Sequence, residues 1–326
     1  MVTKRILFSF VIILLVTWIF PASGAAEKVR SCYPAIAGNI APLWIAKESG
    51  LFQKHGLDAD LTYIQGGSTA TAAMLSGDVA MCMIAGSAVI QSRLSGSDIV
   101  FVAGIINTFD FTVFGGRGIS RVEELKGKKV AISRFGSSTD FAIRYFLEKS
   151  GLRPSLDVAI LQIGGTQERL AALDAGTVQA TLVNPPMTLV ARERGFRELA
   201  ELGNLGVDYQ HAGLVASQRY LRNNRDQARR FIRAFMEAIQ FYRTRKEQTL
   251  QIIGKYARIQ DKKLLEETYL KYLDLIPKKP YPTIKGIEFI LREIAKNDPR
   301  GRALEPKDFV DMSFIAELDG SGFFDR

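Results

Sequence analysis

From Val29 onward, short unbroken apolar runs alternate with longer stretches in which apolar residues return at helical spacing. Short runs bounded by Gly, Ser, Asn or Pro predict buried strands, and the wider spacing predicts helices. The first set gives strands near Val29 to Tyr33, Ala59 to Ile64, Val79 to Ile84 and Ile99 to Ile105. Helices fall near Ile40 to Ser49, Ser68 to Ser76 and Ser87 to Ser95. A second set gives strands near Lys129 to Ser133, Val158 to Ile163, Val178 to Val183 and Phe196 to Ala200, with helices at Ser138 to Ser150, Thr166 to Asp174 and Met187 to Arg194. Strands alternating with helices over these lengths predict an α/β fold with parallel sheets covered on both faces.

The two sets are copies of one phrase. Tyr63-Ile64-Gln65-Gly66-Gly67-Ser68 leads through a small-residue helix to Leu75-Ser76-Gly77-Asp78-Val79-Ala80. Leu161-Gln162-Ile163-Gly164-Gly165-Thr166 leads likewise to Leu173-Asp174-Ala175-Gly176-Thr177-Val178-Gln179-Ala180. Ser49-Gly50-Leu51 and Ser150-Gly151-Leu152, then Gly96 and Gly195, extend the match in both directions. Repetition at a nearly fixed offset of about a hundred residues indicates two copies of a structural unit, here a pair of lobes.

Between the copies runs the β-rich stretch Phe109 to Gly116, which reads as a crossing segment, and Tyr209 to Ser217 reads as a second one. Beyond it the spacing is helical, with stripes such as Phe231, Phe235, Ala238 and Tyr242 that predict core-packing faces. The expected organisation is two doubly wound lobes joined by two crossing segments. Lobe 1 comprises residues 27–112 and 213–326, including a helical tail, and lobe 2 comprises residues 113–212.

The N-terminus departs from this pattern. Lys4 and Arg5 precede an apolar run from Ile6 to Phe20 and then the small residues Ala22 to Ala26, which reads as a cleaved secretory signal peptide over residues 1–26. Export to the periplasm follows. The leader carries two cations, so the formal charge falls from +9 to +7 on cleavage, and the remainder is spread along the chain. Neither zinc-finger spacing nor a basic arm is present, which argues against nucleic acid. Cys32 and Cys82 each lie in a predicted strand; burial as free thiols is the favoured expectation, and a disulfide between them stays open. His55 reads as a helix-end surface residue and His211 as structural, and no cofactor or metal site is expected.

In open parallel sheets, ligands sit beyond the carboxyl ends of the strands. The loops there become the candidate site: Ala37, Gly38, Asn39, Gly67, Ser68, Gly86, Ser87, Asn107 and Asp110 from the first copy, and Arg134, Phe135, Ser137, Ser138, Thr139, Gly165, Thr166 and Asn184 from the second. Gly67-Ser68 and Gly165-Thr166 bring open backbone and a hydroxyl to a helix start, where an anionic or carbonyl group is held or the hydroxyl caps the helix. Ser133 to Thr139 offers a guanidinium, a ring and four hydroxyls suited to a carboxylate, sulfonate or phosphate. Asn39 either caps the next helix or meets ligand, Asn184 likewise, and Asp110 either receives an amine or stabilises a hinge. No catalytic triad, Walker loop or dinucleotide fingerprint can be assembled, so the expectation is a binder and not an enzyme.

Ala41-Pro42-Leu43-Trp44-Ile45-Ala46-Lys47-Glu48-Ser49-Gly50-Leu51-Phe52, then Gly56-Leu57-Asp58, resembles the opening of periplasmic proteins of the nitrate/sulfonate/taurine type, the NMT1/THI5-like family. Leu75 to Ala80, Glu124-Leu125-Lys126-Gly127-Lys128-Lys129-Val130 and Leu173 to Ala180 are similar to its later landmarks, in order. The resemblance implies a type II periplasmic-binding-protein fold and delivery of a small organic solute to an ABC permease and its ATPase by a monomer. The apolar loop Ala35 to Asn39 argues against nitrate and for an organic anion with an apolar body. The rival readings are an enzyme resembling thiamine-pyrimidine synthases and a sensor serving a separate receptor.

Overall fold

A computed structural model describes residues 26–325; the expected signal peptide, but for Ala26, lies outside the described residues. Among the described residues ten strands follow in chain order: β1 (Glu27–Tyr33), β2 (Leu57–Tyr63), β3 (Met81–Ile84), β4 (Ile99–Ile106), β5 (Thr112–Gly115), β6 (Lys129–Ile132), β7 (Ala159–Gln162), β8 (Ala180–Val183), β9 (Arg197–Glu201) and β10 (Ala212–Ser217). They form two five-stranded sheets of order β2-β1-β3-β10-β4 and β7-β6-β8-β5-β9. The duplication seen in the sequence is therefore a duplicated topology. Each copy builds four strands in the same spatial order and receives a fifth between its third and fourth.

That fifth strand corrects the expectation of purely parallel sheets. β5 runs antiparallel to β8 and β9, and β10 runs antiparallel to β3 and β4. The chain leaves the first sheet after β4, enters the second as β5, and returns through residues 202–211 to enter the first as β10. The two crossing segments thus end as strands at the heart of the sheets, and their backbone N–H and C=O groups find partners there.

Helices cover the sheets: α1 (Ala41–Glu48), α2 (Leu51–Lys54), α3 (Gly67–Leu75), α4 (Gly86–Leu94), α5 (Ser138–Lys149), α6 (Thr166–Asp174) and α7 (Met187–Glu193). The C-terminal region adds α8 (Gln218–Asn223), α9 (Arg225–Thr244), α10 (Lys246–Ala257), α11 (Lys262–Leu275), α12 (Ile284–Ala295) and α13 (Ser313–Gly320). In α9 the predicted stripe Phe231, Phe235, Ala238 and Tyr242 is buried against Trp44 and Phe52 of α1 and α2, in one core with β1, β3 and β10. A second core joins β4, β5 and α5 through Phe109, Tyr145, Tyr209 and Phe289. Phe109 and Tyr209, one from each crossing, stack with ring centroids 4.1 Å apart.

Cys32 and Cys82 are register partners on the adjacent strands β1 and β3, with Cα atoms 4.6 Å apart, and they form a disulfide. The expectation of free thiols fails because parallel neighbours in register bring the two Cβ atoms within bonding reach, and no sequence pattern reveals which strands become neighbours. His55 does follow the end of α2, as expected, but it is not a free surface residue: its side chain is largely covered and pairs with Glu237 at 3.0 Å.

Candidate functional site

A cavity of about 540 Å³ opens between the carboxyl ends of the two sheets. That volume lies in the range of small-molecule sites. Seven of the sequence-selected residues line it: Asn39 and Gly67 from the first copy, and Ser138, Thr139, Gly165, Thr166 and Asn184 from the second.

The other ten do not line it. Ala37 is buried, and Gly38 lies so close to Tyr272 that a Cβ there would stand 2.4 Å from the ring. Ser68 faces Gly136 across the gap between the copies. Gly86 donates its N–H to the Gln210 carbonyl, Ser87 accepts from the Tyr209 hydroxyl at 3.2 Å, and the Asn107 carbonyl accepts from the Tyr209 N–H. Arg134 lies along Gly66 and donates to Gln65, Phe135 points to solvent at 51 % exposure, and Ser137 is tied to Ser133 and Thr139. Asp110 is wholly buried behind the wall.

The expected helix caps are also corrected. α3 begins at Gly67 with Gly66 as its cap, and α6 begins at Thr166 with Gly165 as its cap, so Ser68 and Thr166 sit inside the first turn. Neither Asn39 nor Asn184 caps a helix; the residues at those positions are Ile40 and Pro186. Instead Asn39 donates from Nδ2 to Asp110 at 2.9 Å.

Residues not selected from sequence supply much of the wall. Tyr33 and Tyr63, with centroids 5.7 Å apart, Tyr256 and Phe111 give it an aromatic lining, beside Met83 and Met187. Burial pushes the phenols of Tyr33 and Tyr63 up, which keeps them neutral donors. Three cations, Arg169, Lys255 and Arg258, face one carboxylate, Glu168, and Lys255 is itself paired with Glu48 at 2.6 Å.

Arg169 is the most constrained of these. Its side chain is 3 % exposed and donates to the Gly164 carbonyl at 2.6 Å, the Leu182 carbonyl at 3.0 Å, Thr181 at 3.2 Å and Thr166 at 3.3 Å. No ion pair joins it to a carboxylate among the described residues. Burial lowers its pKa to about 10, so the guanidinium stays charged at neutral pH. An unpaired buried cation thus sits beside the N-terminus of α6, where free backbone N–H groups add positive potential. A sequence signal existed for it: in the duplicated phrase Arg169 stands where the first copy has Thr71, a break in the repeat inside the helix that opens on the glycine pair.

Asp110 gathers the other end. It accepts from Asn39 and from the Tyr272 hydroxyl, each at 2.9 Å, and its Oδ1 lies 3.0 Å from His211 Nε2. Burial alone would raise its carboxyl, but the charge and hydrogen bond of His211, with those of Tyr272 and Asn39, hold it below the ordinary carboxylate range. The pair joins the two crossing segments. Bonds also bridge the copies: Gly38 N–H to the Pro185 carbonyl at 3.1 Å, and Gln65 with both Arg134 at 3.5 Å and Glu168 at 3.4 Å.

A family model described as NMT1/THI5 like matches residues 37–248. A Brucella abortus chain provisionally named a binding protein is 26 % identical over 255 residues, covering 76 % of this chain and 77 % of that one. Among solved structures, the periplasmic nitrate-binding protein NrtA from Synechocystis superposes with a TM-score of 0.76 at 16 % identity, covering 91 % of this chain and 89 % of that one. The alkanesulfonate-binding protein SsuA from Xanthomonas axonopodis, bound to MOPS, gives 0.69 at 19 % identity, covering 90 % and 98 %. These structures share the two-sheet fold of this chain.

Proposed function

Because the chain belongs to the NMT1/THI5-like family, we propose that it is the periplasmic solute-binding component of an ABC importer, and that it holds a small organic anion in the cavity between its sheets. The observation that carries the anionic part is Arg169, a buried guanidinium on the cavity wall that no carboxylate among the described residues ion-pairs, with Glu168 the one acidic side chain in the lining. Keeping a cation out of water costs several kcal/mol unless something compensates, and a bound carboxylate or sulfonate is the natural compensation. The aromatic and thioether lining fits an apolar body attached to that charge.

Binding works by closure. Solute meets one sheet's loops first, and the other copy swings over it about residues 107–111 and 202–211, where Phe109 stacks on Tyr209 and Asp110 meets His211. The bonds from Gly38 to Pro185 and from Gln65 to Arg134 and Glu168 form only when the copies approach, so they favour the closed state that a permease would recognise. The protein acts as a monomer and leaves its solute chemically unchanged.

The test is a thermal-shift screen of organic acids and sulfonates on the mature protein, followed by calorimetry. A true solute binds with one-to-one stoichiometry and stabilises by about 2.7 kcal/mol at a hundredfold excess over Kd. Consumption of a hit on incubation would refute the non-catalytic reading. Cross-linking in membranes should capture a permease; capture of a receptor alone would favour the sensor.

A further inference from the structure

Behind the wall at the Asn39 end of the cavity, one carboxylate fixes the polarity of a neighbouring amide. Asp110 can only accept hydrogen bonds, so Asn39 turns its amide nitrogen toward it, at 2.9 Å, and must leave its carbonyl Oδ1 on the other side. His211 Nε2 lies 3.0 Å from Asp110 Oδ1 as an ion-pair contact, which puts Nδ1 on the far side of the imidazole. Neither Asn39 Oδ1 nor His211 Nδ1 has a hydrogen-bond partner among the described residues. Both residues are 4 % exposed and both line the cavity. Buried polar atoms in folded proteins are nearly always paired, so the unpaired acceptor Asn39 Oδ1 on a cavity wall points to a donor that arrives with the ligand.

We infer that this end of the cavity reads a hydrogen-bond donor, with Asn39 Oδ1 as the acceptor and Asp110 as the positioning residue that holds it in that orientation. The inference rests on the cavity being a solute site and narrows the class of solute. The ligand is an organic acid that carries an amino, amide or hydroxyl group on the side opposite the charge held near Arg169. A simple oxyanion, or an acid with only acceptors and methyl groups at that end, would leave Asn39 Oδ1 unpaired and would bind more weakly.

Isosteric pairs provide the test. Calorimetry on the mature chain would compare 4-aminobenzoate with 4-methylbenzoate, and 4-aminobutyrate with pentanoate, then repeat both pairs with Asp110→Asn and Asn39→Leu. The amino member should bind at least tenfold more tightly than its methyl isostere in one pair or both, because the isostere leaves a buried acceptor unsatisfied. The ratio should fall below about threefold in Asp110→Asn, where an amide that both donates and accepts no longer fixes the Asn39 orientation, and in Asn39→Leu, where the acceptor is gone. Circular-dichroism melts establish that each variant is folded, and Asn39→Leu carries the test if Asp110→Asn is not. Equal affinity within both pairs overturns the donor reading and leaves the solute site standing, as does a ratio that survives both substitutions. Binding of none of these four acids, nor of any acid or sulfonate in the thermal-shift screen, overturns the solute-site reading itself; if the screen yields a different acid, that acid and its isostere lacking the donor replace the pairs.

Discussion

Arg169→Met separates what a buried cation does for the scaffold from what it does for a ligand. The substitution keeps an unbranched side chain of similar reach and removes the charge with its four hydrogen bonds. Two backbone carbonyls, those of Gly164 and Leu182, lose their donor, at about 1–3 kcal/mol each. Against this stands the relief of desolvating the guanidinium. A pKa lowered from 12.5 to about 10 corresponds to about 3 kcal/mol, at the level of order of magnitude. The two effects nearly offset, so the ligand-free protein should lose no more than about 3 kcal/mol of stability. Binding has no such offset. A negative group about 6 Å from the guanidinium gains about 3 kcal/mol at an effective dielectric of 20, or roughly a hundredfold in Kd. Guanidinium chloride unfolding of the ligand-free variant measures the first quantity, and calorimetry with whichever acid binds the natural chain measures the second. An affinity within threefold of the natural chain would refute Arg169 as the source of anion preference. A stability loss above about 5 kcal/mol would show instead that its four bonds to the scaffold dominate.

Further predictions concern the lock, the hub and the closing edge. Thiol titration of the unfolded, unreduced protein should find no free thiol from Cys32 and Cys82, and replacing both with Ala should cost about 4 kcal/mol, the chain-entropy value for the separation of 50 residues; two titratable thiols would contradict the pairing. The Asp110 carboxyl is held below its unfolded value, so its contribution is complete above the usual carboxyl range near 4 and disappears as pH falls through the lower folded value. The acid limb of a stability profile should therefore flatten in Asp110→Asn, and an unchanged limb would remove Asp110 from the account. Gly66 has φ of +87°, and a Cβ there would stand 2.5 Å from Arg134 Cγ. Gly66→Ala should weaken solute binding by about tenfold through the collision with Arg134, which arises as the copies close, while the roughly 1–2 kcal/mol of a left-handed alanine falls on stability. Adding Arg134→Ala should recover part of that loss in calorimetry, and no recovery would show that the contact does not limit closure.

The sequence by itself determined the parts of this protein that are local or repeated. Strand and helix positions follow from apolar spacing, so Thr166–Asp174 is predicted and observed with the same bounds, and Ser138–Lys149 differs by a single residue. The duplicated phrase around the two glycine pairs implies two copies of one unit, and the copies have the same strand order. What only the tertiary structure decided is which segments become neighbours. β5 and β10 look like connectors in sequence, and they become central antiparallel strands because a crossing chain must satisfy its backbone hydrogen bonds wherever it is buried. Cys32 and Cys82 pair because β1 and β3 lie side by side in register. Tyr256 and Arg258 reach the cavity from a tail that reads only as core-packing helices, and Asp110 withdraws behind Asn39 once His211 and Tyr272 converge on it. Periodicity encodes what each residue does within its own element. The cavity is made by contacts between elements far apart in the chain, and these depend on the packing of the whole.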